Sequence, residues 1–239
     1  MNLDTFYSAE PTHLWQRVLG PGMHYHFGVA DPEHDPFEAA VLQLRQFIPD
    51  GSRVLDCGCG WGGPARVLKQ HGCYVQGVTI SQEQYRSITD FPVWHTDLRD
   101  LELQEEFDVA MFMESMGHLD APEKVLRAIS PFVRSIVIKD YAAPEYFPCP
   151  DWMGHFRTEE QFRAMLTDAG YQVCVYKEFA NYAQPSVDIW LSRLTTLDDS
   201  ELTGQLLLLK QLCLTCKQLE QMNLPDPTRL CLIHAVRSH

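Results

Sequence analysis

From residue 53 to residue 141, short runs of apolar and β-branched residues take turns with stretches whose apolar positions recur every three or four residues. RVLDC, YVQGVTI, PVWH, FDVAMFM and SIVIKDY read as strands, with PARVLKQHG, SQEQYRSI and PEKVLRAI as the helices between them. The alternation predicts a doubly wound α/β fold, a mostly parallel sheet covered by helices on both faces. A further helix opens at the capping box Thr158-x-x-Gln161 and closes at Gly170. The strands YQVCVYKEF and RLCLIHAVR then bring the sheet to seven. Residues 185–222, between those two strands, keep a helical period too long for a hairpin connection, and they predict a helical cap inserted before the last strand.

Upstream, Asp35-Pro36 marks a helix start, with Phe37, Ala40, Val41, Leu44, Phe47 and Ile48 on one face and Asp50-Gly51 at its end. The first 34 residues form an arm: a helix over His13–Leu19, then the irregular aromatic and histidine-rich GPGMHYHFG. The organisation expected is therefore an arm or lid over 1–34 and one domain over 35–239, with the cap at about 185–222. Because the α/β core does not require the arm, removing residues 1–30 is expected to affect turnover more than stability.

Composition narrows the partners. Against 19 basic residues stand 32 acidic ones, a net charge of −13 without a local basic stripe, which excludes nucleic acid and speaks against anionic lipid headgroups. The N-terminal MNLDTFYSAEPTHLWQ lacks a basic start and an apolar run, and no apolar stretch reaches membrane-spanning length, so a cytoplasmic location without stable membrane association is the expectation. The eight cysteines lie in apolar runs and read as buried reduced thiols. Cys213-x-x-Cys216 has no second ligand pair nearby, so no metal site is expected.

The densest chemistry is in Val54-Leu55-Asp56-Cys57-Gly58-Cys59-Gly60-Trp61-Gly62-Gly63, a strand running into a glycine loop and a helix. Gly58, Gly60 and Gly63 formally satisfy G-x-G-x-x-G, so a nicotinamide-dependent oxidoreductase must be weighed. Such a site wants an acid at the end of the second strand, where this chain has Gln76-Gly77-Val78-Thr79-Ile80-Ser81. Asp56 also points against it, because a pyrophosphate would not welcome a carboxylate two residues before the first glycine.

DCGCGWGG resembles the first motif of the class I S-adenosylmethionine-dependent methyltransferases, an acid followed by x-Gly-x-Gly. The resemblance covers roughly residues 35–180 and the final strand. GVTISQEQ is similar to the cyclopropane fatty acid synthase and tocopherol-type small-molecule branch, which assigns Thr79 and Gln84 to the cofactor. HTDLRDL resembles the adenine segment, implying Asp97 near the amino group and Leu98 against the ring. MFMESMGHLD resembles the fourth-strand motif, implying Met113 beside the methionine moiety and Glu114 and His118 toward the transfer site. One departure is visible: only YRSITDFPVWHT separates Gln84 from Asp97, so the third helix is expected to shrink to about two turns.

The implied fold is the Rossmann-like methyltransferase fold, the implied cofactor S-adenosylmethionine and the implied acceptor a small molecule, a secondary metabolite by elimination. Oxygen is the favoured acceptor atom, with a carboxylate that needs no base as a variant; carbon and nitrogen stay open, as does a non-catalytic binding subunit. His118, in the loop after the fourth strand, is the candidate base, and Glu114 a second catalytic candidate. Tyr7, His24, Tyr25 and His26 of the arm, Tyr182 and Trp190 of the cap, and Trp152 are the candidates for holding the acceptor.

Overall fold

The computed structural model describes residues 10–145, 154–179, 184–198, 200, 202–222 and 229–238. Helix α1 (Thr12–Leu19) is followed by α2 (Pro36–Arg45), and then β1 (Arg53–Cys57), α3 (Gly63–Gln70), β2 (Tyr74–Thr79), α4 (Gln82–Ser87) and β3 (Val93–His95). The second half runs β4 (Phe107–Met113), α5 (Pro122–Ile129), β5 (Val133–Ala142), α6 (Glu159–Asp168) and β6 (Tyr171–Phe179). It ends with α7 (Gln184–Leu194), α8 (Gly204–Gln221) and β7 (Arg229–Arg237). The caps lie where the sequence puts them. The Asp35 carboxylate accepts from the amides of Phe37 and Glu38, and Thr158 with Gln161 closes a full capping box.

The seven strands form one sheet in the order β3-β2-β1-β4-β5-β7-β6, with only β7 antiparallel to its neighbours. This is the doubly wound architecture the alternation predicts. The order reverses between β1 and β4, and in such a sheet the crevice at the carboxyl ends of those two strands is where ligands bind. The expected shortening is also present: α4 has six residues and β3 three.

Apolar side chains on the two faces of the sheet build two cores, one around Phe112, Ile136 and Leu166, the other around Leu44, Leu68 and Met111. A third core joins the arm to the cap, and it changes the reading of the arm. Leu14, Trp15, Val18, Leu19, Met23 and Phe27 are buried with Val187, Trp190 and Leu194 of α7 and Leu206, Leu209 and Cys213 of α8. The Glu10 carboxylate supplies the start of α8, accepting from the amide of Leu206 at 3.3 Å. The expectation of an arm removable at little cost to the fold is thereby corrected. Deleting residues 1–30 exposes one side of this core, and a fall in stability of several kcal/mol is the expected result in a denaturant titration. The helical stretch expected before β7 consists of two helices, α7 and α8. The cysteines follow expectation at 57, 59, 73, 213 and 231, all buried and free, whereas Cys216 is half-buried and Cys174 is exposed on the edge strand; Cys149 lies outside the described residues.

Candidate active site

Asp56 sits next to last in β1, between Gly77 of β2 and Met111 of β4. It is 1% exposed, and neither carboxylate oxygen has a hydrogen-bond partner among the described residues. Burial alone pushes its pKa up to about 7. A buried acid with both oxygens unpaired is costly, and a cationic or donor-rich ligand relieves that cost.

The loop that follows is shaped for a close approach. The amides of Gly58 and Cys59 both donate to the Val78 carbonyl, at 3.0 and 2.9 Å, tying the loop to the end of β2. Gly58 has φ +87°, and a Cβ there would lie 2.6 Å from Cβ of Ser115, whose hydroxyl donates to the Cys57 carbonyl. The loops after β1 and β4 therefore touch at the switch point. Gly58→Val is expected to abolish S-adenosylhomocysteine binding in a calorimetric titration while circular dichroism shows the sheet retained.

At the end of β2, Thr79 and Gln84 are buried together; the Thr79 hydroxyl donates to the Gln84 side-chain oxygen at 2.7 Å. Asp97 lies after β3, where it accepts from the Arg99 amide at 2.9 Å and pairs with its guanidinium, which holds its carboxyl below the usual range. Leu98 is half-buried beside it, and Met113 is buried at the last position of β4. The structure thus lines the carboxyl edge of β1, β2, β3 and β4 with the residues the sequence nominates for the cofactor.

The loop after β4 is held from two sides. Asp140 accepts from the amides of Met116 and Gly117 at 2.8 and 3.1 Å, while the Arg157 guanidinium donates to the carbonyls of Met116 and Leu119 at 3.2 and 2.8 Å. His118 ends that loop's single 3-10 turn. Burial first, and then the neighbouring His155, lower its pKa to about 4, so its imidazole is neutral at physiological pH.

Glu114 does not stand open to a substrate. Its carboxylate is 5% exposed, paired with the Lys139 ammonium, and accepts from the Tyr141 hydroxyl at 3.0 Å and the Phe27 amide at 2.9 and 3.1 Å. The arm lies directly above it. His26 Nδ1 is 3.1 Å from the Phe27 carbonyl, and His26 Nε2 is 3.0 Å from His24 Nδ1. A carbonyl only accepts, so His26 carries its proton on Nδ1, its Nε2 accepts, and His24 donates from Nδ1. Both rings stay neutral, with the His24 pKa pushed down to about 4 by burial. His24 also covers the start of α3: a Cβ on Gly63 would lie 2.6 Å from its Nδ1 and 2.8 Å from the Met23 carbonyl.

Around this roof the aromatic candidates join one another rather than lining open space. Trp190 is 2% exposed, within 5.4 Å of both Phe27 and Phe37 and 6.1 Å from Tyr25, which in turn meets Trp15 at 5.0 Å. Tyr7, Trp152 and Tyr182 lie outside the described residues. Sequence reasoning missed Lys139, Asp140 and Tyr141. The signal was present, because KDY places two charges at the carboxyl end of a strand whose other inward positions are apolar.

A switch-point glycine loop, an unpaired buried acid before it and a polar second-strand end define a class I S-adenosylmethionine-dependent methyltransferase site, and Asp56 with its open carboxylate fits the ammonium of that cofactor. The comparisons agree: the methyltransferase domain model matches residues 33–175, and the chain belongs to that family. It is 26% identical over 179 residues to the O-methyltransferase rstn1 of Aspergillus nomiae, covering 62% of this chain and 80% of the relative. To the cyclopropane-fatty-acyl-phospholipid synthase of Escherichia coli it is 30% identical over 118 residues, 44% of this chain and 30% of the synthase. The fold matches the crystal structure of the [4+2]-cyclase SpnF with a TM-score of 0.77 at 19% identity, over 95% of this chain and 92% of that one. The chain spans only 23–30% of the length of three curated relatives it matches.

Proposed function

We propose that this protein transfers a methyl group from S-adenosylmethionine to an oxygen of a small molecule. The observation that carries the proposal is Asp56, buried and without a hydrogen-bonding partner among the described residues, at the switch point beside a glycine loop. When bound, the cofactor supplies an electrophilic methyl on a positively charged sulfur. Asp56 takes its ammonium, Thr79 and Gln84 its ribose, Asp97 and Leu98 its adenine, and Met113 flanks the methionine portion. The neighbourhood supports these assignments because the same residues line one edge of the sheet.

The chain's own work is then to align, to exclude water and to take one proton. Neutral His118 accepts the proton that the acceptor hydroxyl loses as oxygen attacks the methyl. A base with a pKa of about 4 does this readily only for an acidic acceptor, so a phenol or carboxylic acid fits better than an alcohol. A carboxylate needs no base at all, which keeps methyl ester formation within the proposal. His24, Tyr25, His26 and Trp190 are packed against one another in the arm and cap, so the acceptor would meet them only where the arm gives way. One relative names a small-molecule acceptor, the (S)-coclaurine N-methyltransferase of Papaver somniferum, and the O-methyltransferase above names oxygen as its acceptor atom. The test is transfer of labelled methyl to panels of phenols, carboxylic acids and amines. Labelled phenyl ethers or esters are expected, and label confined to amines would overturn the choice of oxygen.

A further inference from the structure

The backbone of Phe27 is held at both ends by one buried ion pair. Its amide donates to the Glu114 carboxylate at 2.9 Å, and its carbonyl accepts from the Lys139 ammonium at 2.7 Å. Lys139 is 2% exposed on β5, and Glu114 follows the last residue of β4, so the pair rises from two adjacent strands to grip a peptide of the arm. Irregular segments ordinarily leave such groups to water. Here charged side chains replace the strand that would otherwise satisfy them.

One backbone conformation and two further contacts belong to the same device. Glu114 adopts φ +53°, a left-handed conformation that non-glycine residues rarely take, and its carboxylate lies against the arm. His26 donates to the same Phe27 carbonyl, so the clamp also fixes the ring that orients His24 over the glycine loop. One residue on, the Gly28 amide donates to the hydroxyl of Ser186, fully buried on α7, and joins the clamped segment to the cap. Apolar side chains would fill the space between β4 and β5 at least as well as an ion pair, so the packing of the sheet does not account for it.

We propose that Lys139 is a positioning residue that latches the arm over the donor cleft, acting through the Phe27 peptide and the Glu114 carboxylate. The proposal rests on the reading that this cleft holds S-adenosylmethionine. It makes Glu114 the arm's anchor, with its lone pairs committed to Lys139, Tyr141 and Phe27, and leaves proton transfer to His118. It also gives the arm two states of distinct chemistry, clamped by charge or released to water.

The test is hydrogen exchange of the full-length protein over residues 22–29, read together with the release rate of S-adenosylhomocysteine and the melting temperature. Lys139→Met leaves a buried carboxylate without its cation and the Phe27 carbonyl without its strongest donor. Exchange of the arm is expected to quicken by about 10- to 100-fold, with S-adenosylhomocysteine released faster. The double variant Glu114→Gln/Lys139→Met removes both charges and carries the test if the single variant does not fold. Its melting temperature is expected to recover while the arm stays fast to exchange. Lys139→Arg, which keeps a cationic donor, is expected to restore protection. Wild-type protection of the arm in the double variant would overturn the latch, since the pair would then serve only charge balance. A loosened arm with unchanged release of S-adenosylhomocysteine would sustain the latch and overturn the placing of the donor beneath it.

Discussion

Asp56→Asn is expected to strengthen the ligand-free protein and to weaken its grip on cofactor at the same pH. Burial raises the Asp56 pKa from an ordinary 3.8 to about 7. The folded state therefore binds a proton there that the unfolded chain has released, throughout the window between those values. Its contribution is fully favourable below the unfolded pKa and is lost as pH rises through about 7, for a total of ~4 kcal/mol at pH 8. Asparagine has no charge to desolvate. The variant should gain a few kcal/mol over wild type at pH 8 and little at pH 4, in urea titrations of the ligand-free protein. Its affinity for S-adenosylhomocysteine should fall about 10- to 100-fold at pH 8, the worth of a buried charge-assisted contact. In wild type the same affinity should weaken as pH drops below 7 and Asp56 takes up its proton. An asparagine variant that binds as well as wild type would remove Asp56 from the cofactor site.

The second large effect is expected at His118. Replacing it with alanine should lower kcat on a phenolic acceptor by about 10²–10⁴ and leave the dissociation constant of S-adenosylhomocysteine nearly unchanged. Carboxylate acceptors, which carry no proton to remove, should be methylated at close to the wild-type rate. That split separates a base from a residue that merely shapes its loop, because loop damage would slow both acceptors alike. The loop itself is well braced, with Asp140 on its amides and Arg157 on its carbonyls. Turnover of the phenol unaffected by the substitution would assign the proton to solvent or to an acceptor already ionised.

How far the sequence reaches depends on whether a feature is local. Asp56, Gly58 and the helix start at Gly63 are readable because a strand, a turn and a helix follow one another within eleven residues, and the turn demands glycine where φ is positive. Thr79 and Gln84 lie five residues apart and are hydrogen-bonded to each other, again within local reach. The Glu114–Lys139 pair could not be read that way. Its partners lie on different strands, and their meeting depends on the register that sets Met113 beside Lys139. The arm shows the same limit. Its aromatic content was legible, but Trp15, Tyr25 and Trp190 come together only when α7 closes the third core, a long-range meeting that no local pattern announces. The depressed pKa of His118 is likewise a property of burial, which the pattern MESMGHLD does not carry.

Whether Asp56 and its glycine loop hold S-adenosylmethionine is decided by a calorimetric titration of the full chain at pH 8 with S-adenosylhomocysteine and, separately, with NAD. One saturable site for S-adenosylhomocysteine is expected, lost in Gly58→Val and weakened in Asp56→Asn, with no heat of binding for NAD. Saturable binding of NAD with no response to S-adenosylhomocysteine would contradict this assignment.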